Sequence, residues 1–139
     1  MTMIIPWKQS KYLVCTSGLF LIPAYDFWHC SKLLSSGLII TSFISINYWR
    51  NACDSYRRCL DLFFSKIAFC VYFTIGMYNA KKNILYYILL SIAVGISFNM
   101  SNTLYFRDSS NFDWVYSHII FHLLLCYQMH NAYSETCLL

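Results

Sequence analysis

The sequence predicts an all-α fold, a polytopic transmembrane helix bundle of about five spans that forms a single integral membrane domain over residues 1–139. This prediction rests on the composition. Of all residues, 58% are hydrophobic and only 12% are charged, whereas a soluble domain has roughly 25% charged residues. A short soluble chain has too much surface for so few charges. The ten Lys and Arg lie almost entirely between apolar runs, which is typical of membrane-edge anchors and not of a nucleic-acid-binding surface.

Five apolar runs follow one another with connectors of a few residues, so sequential helices are expected to pack antiparallel. Pro23 kinks or ends the first run, which is either a short span or a re-entrant helix. Each of the other four reaches the ~17 residues that a helix needs to cross a bilayer. Residues 101–113 have loop composition. The predicted spans are residues 12–27, 33–49, 60–78, 84–100 and 114–130.

The distribution of basic residues predicts a cytoplasmic N-terminus. On the N-terminal side of the bundle the Lys and Arg are Lys8, Lys11, Arg50, Arg57, Arg58 and Arg107. The opposite side has Lys32, Lys81 and Lys82, and the positive-inside rule places the richer side in the cytoplasm. The chain is therefore expected to be integral to a membrane, and both an endomembrane and a viral membrane fit this expectation.

The same threading places several polar residues in one leaflet, on the predicted cytoplasmic side. Asn47 ends the second run, Asp61 opens the third, and His118 lies near the start of the fifth. A charged side chain costs several kcal/mol as it moves deeper into a bilayer, so such residues are candidates for a functional site. The predicted cluster consists of Ser42, Ser45, Asn47, Asp61, His118 and His122.

His118 and His122 form an H-x-x-x-H pair, which places two imidazoles on one helix face within reach of a single metal ion. A zinc ion would need a further ligand, and Asp61, Asn47 or water would supply it. The alternative is that both histidines hydrogen-bond to serines or to backbone carbonyls inside the bundle. For Ser42 and Ser45 the corresponding alternative is close packing of their helix against a neighbour.

These motifs together resemble the superfamily of alkaline ceramidases and the progestin and adipoQ receptors. The resemblance rests on a serine stripe, an aspartate that opens the next helix, and H-x-x-x-H in the last helix. It implies a zinc site with His118 and His122 as ligands, Asp61 as general base, and Ser42 or Ser45 as hydrogen-bond donor to the oxyanion. The sequence departs from the family in having five predicted helices instead of seven, and Asn47 is the polar residue nearest to an expected histidine.

The segment 45–69 also looks like short membrane proteins of large DNA viruses and single-celled eukaryotes. Three functions are compatible with these observations: a non-enzymatic or degenerate membrane protein, a zinc-dependent lipid amide or ester hydrolase, and a transport or channel subunit. The expected partners are the lipid bilayer, a lipid substrate in the hydrolase interpretation, and a second copy of the chain. The seven cysteines include no C-x-x-C pair, and Cys15, Cys70 and Cys126 are interpreted as small buried apolar residues.

Overall fold

The regular elements are all helical in the computed structural model, which describes residues 5–80 and 83–137. This confirms the predicted all-α class. The first three elements follow one another without a break and form one helical segment, so the chain has five such segments. The elements are α1 (Trp7–Ser17), a 3₁₀ turn (Gly18–Phe20), α2 (Leu21–Asp26), α3 (Lys32–Trp49), α4 (Tyr56–Asn79), α5 (Ile84–Arg107) and α6 (Asp113–Cys137).

The loop prediction for residues 101–113 was wrong in its first half, because α5 continues to Arg107. Ser101 explains the difference: it is 1% exposed, and its hydroxyl donates to the Trp114 carbonyl of α6 at 3.2 Å. The polar residues of this stretch therefore contact other helices and do not mark a loop. α6 likewise continues to Cys137, beyond the predicted end at residue 130.

Pro23 does not end the first helical segment, which reaches Asp26. Proline lacks the N–H that would bond the carbonyl four residues earlier, here that of Leu19. The Cys126 thiol of α6 donates to this carbonyl at 3.4 Å, and the preceding turn is 3₁₀. The cost of the missing backbone bond is thus reduced by a neighbouring helix.

One end of the bundle, called here the basic end, joins the start of α1 to the connectors 50–55 and 108–112. The buried Gln9 side chain donates from Nε2 to the carbonyls of Ser109, Ser110 and Asn111 at 3.2, 3.0 and 3.3 Å. Ser110 donates its hydroxyl and its backbone N–H to Asp108, which holds the pKa of that carboxyl below its ordinary value. These bonds order the α5–α6 connector against α1.

The opposite end, called here the disulfide end, carries the turn 27–31 and the end of α6. Cys30 and Cys137 form a disulfide there, across a sequence separation of 107 residues. The sequence analysis did not predict this bond. Its interpretation of Cys15 and Cys70 as buried was also wrong, because both side chains are exposed on the outside of their helices.

Two tyrosines connect α5 to α4 and α4 to α3. The Tyr87 hydroxyl donates to the Tyr72 carbonyl at 3.1 Å, and the Tyr72 hydroxyl donates to the Leu34 carbonyl at 2.9 Å. The Tyr87 ring lies directly over Gly76, where any larger residue would overlap it. The α4–α5 pair is therefore tightly packed near its connecting turn.

The bundle places polar side chains inside and large apolar side chains outside. On α3 the fully buried residues include Ser35 and Ser42, whereas Leu33 is 84% and Phe43 is 60% exposed. The outer face of α5 likewise carries exposed Leu and Ile. Two helices, α4 and α5, are long and apolar enough to cross a membrane, judged by length and composition. The Leu and Ile side chains of α5 that are more than half exposed are Leu85, Leu89, Ile92 and Ile96.

Candidate functional site

A cavity of about 600 Å³ lies among α3, α4, α5 and α6. The first half of α4 and the second half of α5 form two of its sides, whereas the contacts of Tyr87 with Phe73 and Gly76 hold these helices together at the other end. Phe69 of α4 and Phe98 of α5 line the cavity and are also exposed on the surface of the bundle. The cavity is thus open sideways, between α4 and α5.

Asp61 lies in the wall of this cavity, in the second turn of α4. Its side chain is buried, with 7% exposed, and Oδ1 has no hydrogen-bond partner. The Ser45 hydroxyl of α3 is within hydrogen-bonding reach of the carboxylate and also lies 3.0 Å from the Ser17 hydroxyl of α1. Asp61 and Ser45 therefore share the cavity, as the sequence analysis predicted.

Ser42 and Asn47 do not belong to the cavity wall. Ser42 is fully buried and donates to the Ser17 carbonyl at 2.7 Å, which is the helix-packing role considered for it above. Asn47 is exposed. Two residues along a helix correspond to a rotation of roughly 200°, so Asn47 points away from the side of α3 that Ser45 occupies, and the prediction that it joins the cluster was wrong.

His118 and His122 both line the cavity, and their ring centroids are 4.7 Å apart. Nδ1 of His118 lies 3.1 Å from the Ser101 hydroxyl, and Nδ1 of His122 lies 2.8 Å from the Thr16 hydroxyl. Because each hydroxyl also donates to a backbone carbonyl, we assign the Nδ1–H tautomer to both rings. Nε2 of each ring then carries the lone pair.

The sequence analysis considered serines inside the bundle as partners of the histidines but did not identify them. The partner of His118 is Ser101 of α5, and the partner of His122 is a threonine, Thr16 of α1. Both lie in helices whose contacts with α6 depend on the tertiary fold. A buried histidine needs a hydrogen-bond partner. The Ser and Thr residues of the other predicted helices were therefore the available candidates for such partners.

Aromatic side chains surround the two imidazoles. Trp49 packs its ring against His118 at a centroid distance of 5.3 Å, and Phe20 packs against His122 at 5.4 Å. Trp49 and Trp114 are both largely buried and line the cavity. The wall near the histidines is therefore apolar apart from the imidazole nitrogens.

Two cations, Arg58 and Lys66, lie at the margin of the cavity. Arg58 donates to Asp54 at 3.4 Å and has a 40% exposed side chain; Lys66 is exposed. Within the described ranges, neither forms an ion pair with Asp61. Asp61 is thus a buried carboxylate without a cationic partner from those residues.

The geometry does not assemble the three-ligand zinc site that the resemblance implies. Among residues 5–80 and 83–137, no three His, Cys, Asp or Glu side chains are grouped so that they could hold one ion. His118 and His122 are adjacent, but Asp61 does not complete a set with both. The described residues therefore offer a metal ion a pair of imidazole ligands, without a third side chain of these types beside them.

The chain matches no protein-family model, no curated protein and no solved structure. The resemblance to the alkaline ceramidase superfamily stays a prediction. We therefore infer function from the geometry of the cavity itself.

Proposed function

We propose that this protein is a five-span integral membrane protein that binds a long hydrocarbon chain in the cavity between α4 and α5, without catalysing a reaction. The observation that supports this function is the cavity itself. Its volume of about 600 Å³ is within the range of ~300–1,000 Å³ that is usual for small-molecule sites. A chain enters sideways from the bilayer, past Phe69 and Phe98.

The distribution of side chains supports the membrane location. Large apolar residues such as Leu33, Phe43 and Leu85 are exposed on the outside, while serines and Asp61 are buried inside. Water does not favour such an arrangement, since a large exposed apolar surface marks contact with a membrane or a partner. In a bilayer the buried hydroxyls bond across helices and the apolar side chains contact lipid.

The disulfide supports the orientation of the bundle. Disulfides persist in oxidising compartments and are rare in the cytosol, and Cys30–Cys137 lies at the end opposite to the larger group of Lys and Arg. The positive-inside rule places that basic end in the cytoplasm. Charge and disulfide thus favour the same orientation, with the disulfide end in the lumen or outside the cell.

Thiol labelling in selectively permeabilised cells tests this orientation. A membrane-impermeant maleimide is expected to label Cys59, near the basic end, once the plasma membrane alone is opened, with Cys59→Ser as the control. Cys30 and Cys137 are expected to react only after internal membranes are opened and the disulfide is reduced. Labelling of Cys30 from the cytosolic side without a reductant would contradict the proposed orientation.

Tryptophan quenching tests whether a chain enters the cavity. In the double variant Trp7→Phe/Trp28→Phe, the remaining Trp49 and Trp114 are 7% and 2% exposed and line the cavity. In phosphatidylcholine nanodiscs, a terminally brominated dodecyl alcohol is expected to quench their fluorescence saturably, because a bromine quenches only at contact distance.

The matched control is Trp49→Phe/Trp114→Phe, which keeps Trp7 and Trp28 on the outside, 54% and 36% exposed. Its quenching is expected to rise linearly with probe concentration and without saturation. Linear quenching in both double variants would show that no chain occupies the cavity, and the proposed function would then be wrong.

A metal-dependent lipid hydrolase is the second candidate, and the adjacent rings of His118 and His122 favour it. Their assigned tautomers leave Nε2 of each ring as a lone-pair donor. The metal content of the purified protein distinguishes the two candidates. About one zinc ion per chain that disappears in His118→Ala would favour the hydrolase, whereas saturable chain binding by zinc-free protein favours the binding function.

A further inference from the structure

The carboxylate of Asp61 has one oxygen without a partner: the Ser45 hydroxyl is within hydrogen-bonding reach of the carboxylate, but Oδ1 accepts no hydrogen bond. The side chain is 7% exposed, and leaving a buried charged group unsatisfied is costly. Across the described ranges, the ion pairs are Arg58–Asp54 and His130–Asp26. Asp61 therefore has an open acceptor atom in the wall of an apolar cavity.

The other polar groups near the cavity determine what kind of head group fits. His118 and His122 are assigned as neutral rings whose Nδ1–H atoms are already used, so they offer acceptors to a ligand. Ser45 is engaged with Ser17 at 3.0 Å. The amides of Asn99 and Asn102 also line the cavity. A ligand group that meets Asp61 and the imidazole acceptors donates hydrogen bonds, and a positively charged donor bonds a carboxylate most strongly.

We propose that the cavity binds an amphiphile through a protonated amine, which donates to Oδ1 of Asp61 while one hydrocarbon chain lies along the apolar wall. This inference rests on the proposed chain-binding function and names the head group. An ammonium has three donors and no acceptor, which suits a cavity whose wall contains the open oxygen of a carboxylate. The cavity volume of about 600 Å³ suits one chain with a small head group.

The two cations at the margin do not define an anion site. Arg58 is held by Asp54 at 3.4 Å, and Lys66 is exposed at the margin of the cavity. A carboxylate or phosphate drawn towards them would approach Asp61, a like charge inside the same cavity. The amine can belong to a free alkylamine or to the head group of an aminophospholipid, and the experiment separates these sources.

The test compares brominated dodecyl amine, alcohol and carboxylate as quenchers of Trp49 and Trp114, in the Trp7→Phe/Trp28→Phe background and in phosphatidylcholine nanodiscs. The amine is expected to bind at least about tenfold more tightly than the alcohol, because a hydrogen bond to a charged group contributes ~1.5–3 kcal/mol. Asp61→Asn is expected to remove this preference, so that the amine and the alcohol bind with similar affinities.

Asp54→Asn is the matched control, since it removes the same charge from the 72% exposed partner of Arg58; it is expected to keep the amine preference. Retained alcohol binding shows that Asp61→Asn is folded, and the comparison of head groups in the wild type needs no variant. Addition of phosphatidylethanolamine to the nanodiscs identifies the source: competition with the amine assigns the site to the lipid head group, and absence of competition assigns it to the free amine.

Equal affinities for amine and alcohol in the wild type would overturn the amine site while leaving chain binding intact. Tighter binding of the carboxylate would overturn it as well and would point to Arg58 and Lys66. Absence of saturable quenching by all three probes would instead contradict the proposed function itself.

Discussion

Cys30→Ser is expected to lower the free energy of unfolding by about 4 kcal/mol. The disulfide closes a loop with a sequence separation of 107 residues. In the chain-entropy model, a cross-link over about 100 residues lowers the entropy of the unfolded chain and so raises its free energy by roughly that amount. A typical domain is stable by only ~5–15 kcal/mol. The measurement is a denaturant titration in detergent micelles followed by helical circular dichroism, with non-reducing gel mobility to confirm loss of the bond.

Cys59→Ser is the control, because Cys59 is a free, exposed cysteine of α4 and its substitution is expected to change stability by less than about 0.5 kcal/mol. Reduction of the wild-type protein is expected to reproduce the Cys30→Ser result. A Cys30→Ser protein that unfolds at the wild-type denaturant concentration would show that the Cys30–Cys137 bond does not contribute to stability.

Gly76→Ala is expected to destabilise the protein by about 2–4 kcal/mol, a large effect for one methyl group. A Cβ at Gly76 would overlap the Tyr87 ring, which is 3% exposed and cannot turn outwards without breaking its bond to the Tyr72 carbonyl. Overpacking of this kind costs ~1–3 kcal/mol, and loss of a hydrogen bond adds ~1 kcal/mol. The same denaturant titration measures the change.

Gly95→Ala is the matched substitution on α5. A Cβ at Gly95 meets no atom within 4 Å, so this variant is expected to be as stable as the wild type or up to about 1 kcal/mol more stable, since alanine favours a helix. Tyr87→Leu in the Gly76→Ala background is expected to restore part of the lost stability. Equal stabilities of Gly76→Ala and Gly95→Ala would contradict the close packing of α4 and α5.

The helical class and the position of α3 were predictable from the sequence, since α3 begins one residue before the predicted start and ends at Trp49. The bounds of α3 were predictable because its apolar run lies between two basic residues, Lys32 and Arg50. The end of α5 was not predictable in this way. Asn99, Ser101 and Asn102 have the composition of a loop, but they are helical and line the cavity, and the Ser101 hydroxyl donates to the Trp114 carbonyl of α6.

The threading brought the polar residues to one part of the bundle but did not predict which way each of them points. Asp61, Ser45, His118 and His122 do line one cavity. Asn47 lies two residues from Ser45 and is exposed, because its rotation about α3 differs from that of Ser45. A depth argument contains no information about that rotation, which is set by the helices packed against α3.

The disulfide was beyond sequence analysis for a different reason. Cys30 lies in a short turn and Cys137 ends α6, with 107 residues between them. No short spacing motif connects such distant cysteines. Their proximity follows from the antiparallel order of five helical segments, which brings the turn 27–31 and the end of α6 to the same end of the bundle.

The position of that bond also orders the biogenesis of the protein. In the membrane orientation proposed above, oxidation joins a turn made early in synthesis to the far end of α6, so it cannot occur until α6 has been translated and its end has reached the oxidising side. Until then Cys30 lacks its partner, because Cys137 lies 107 residues later in the chain.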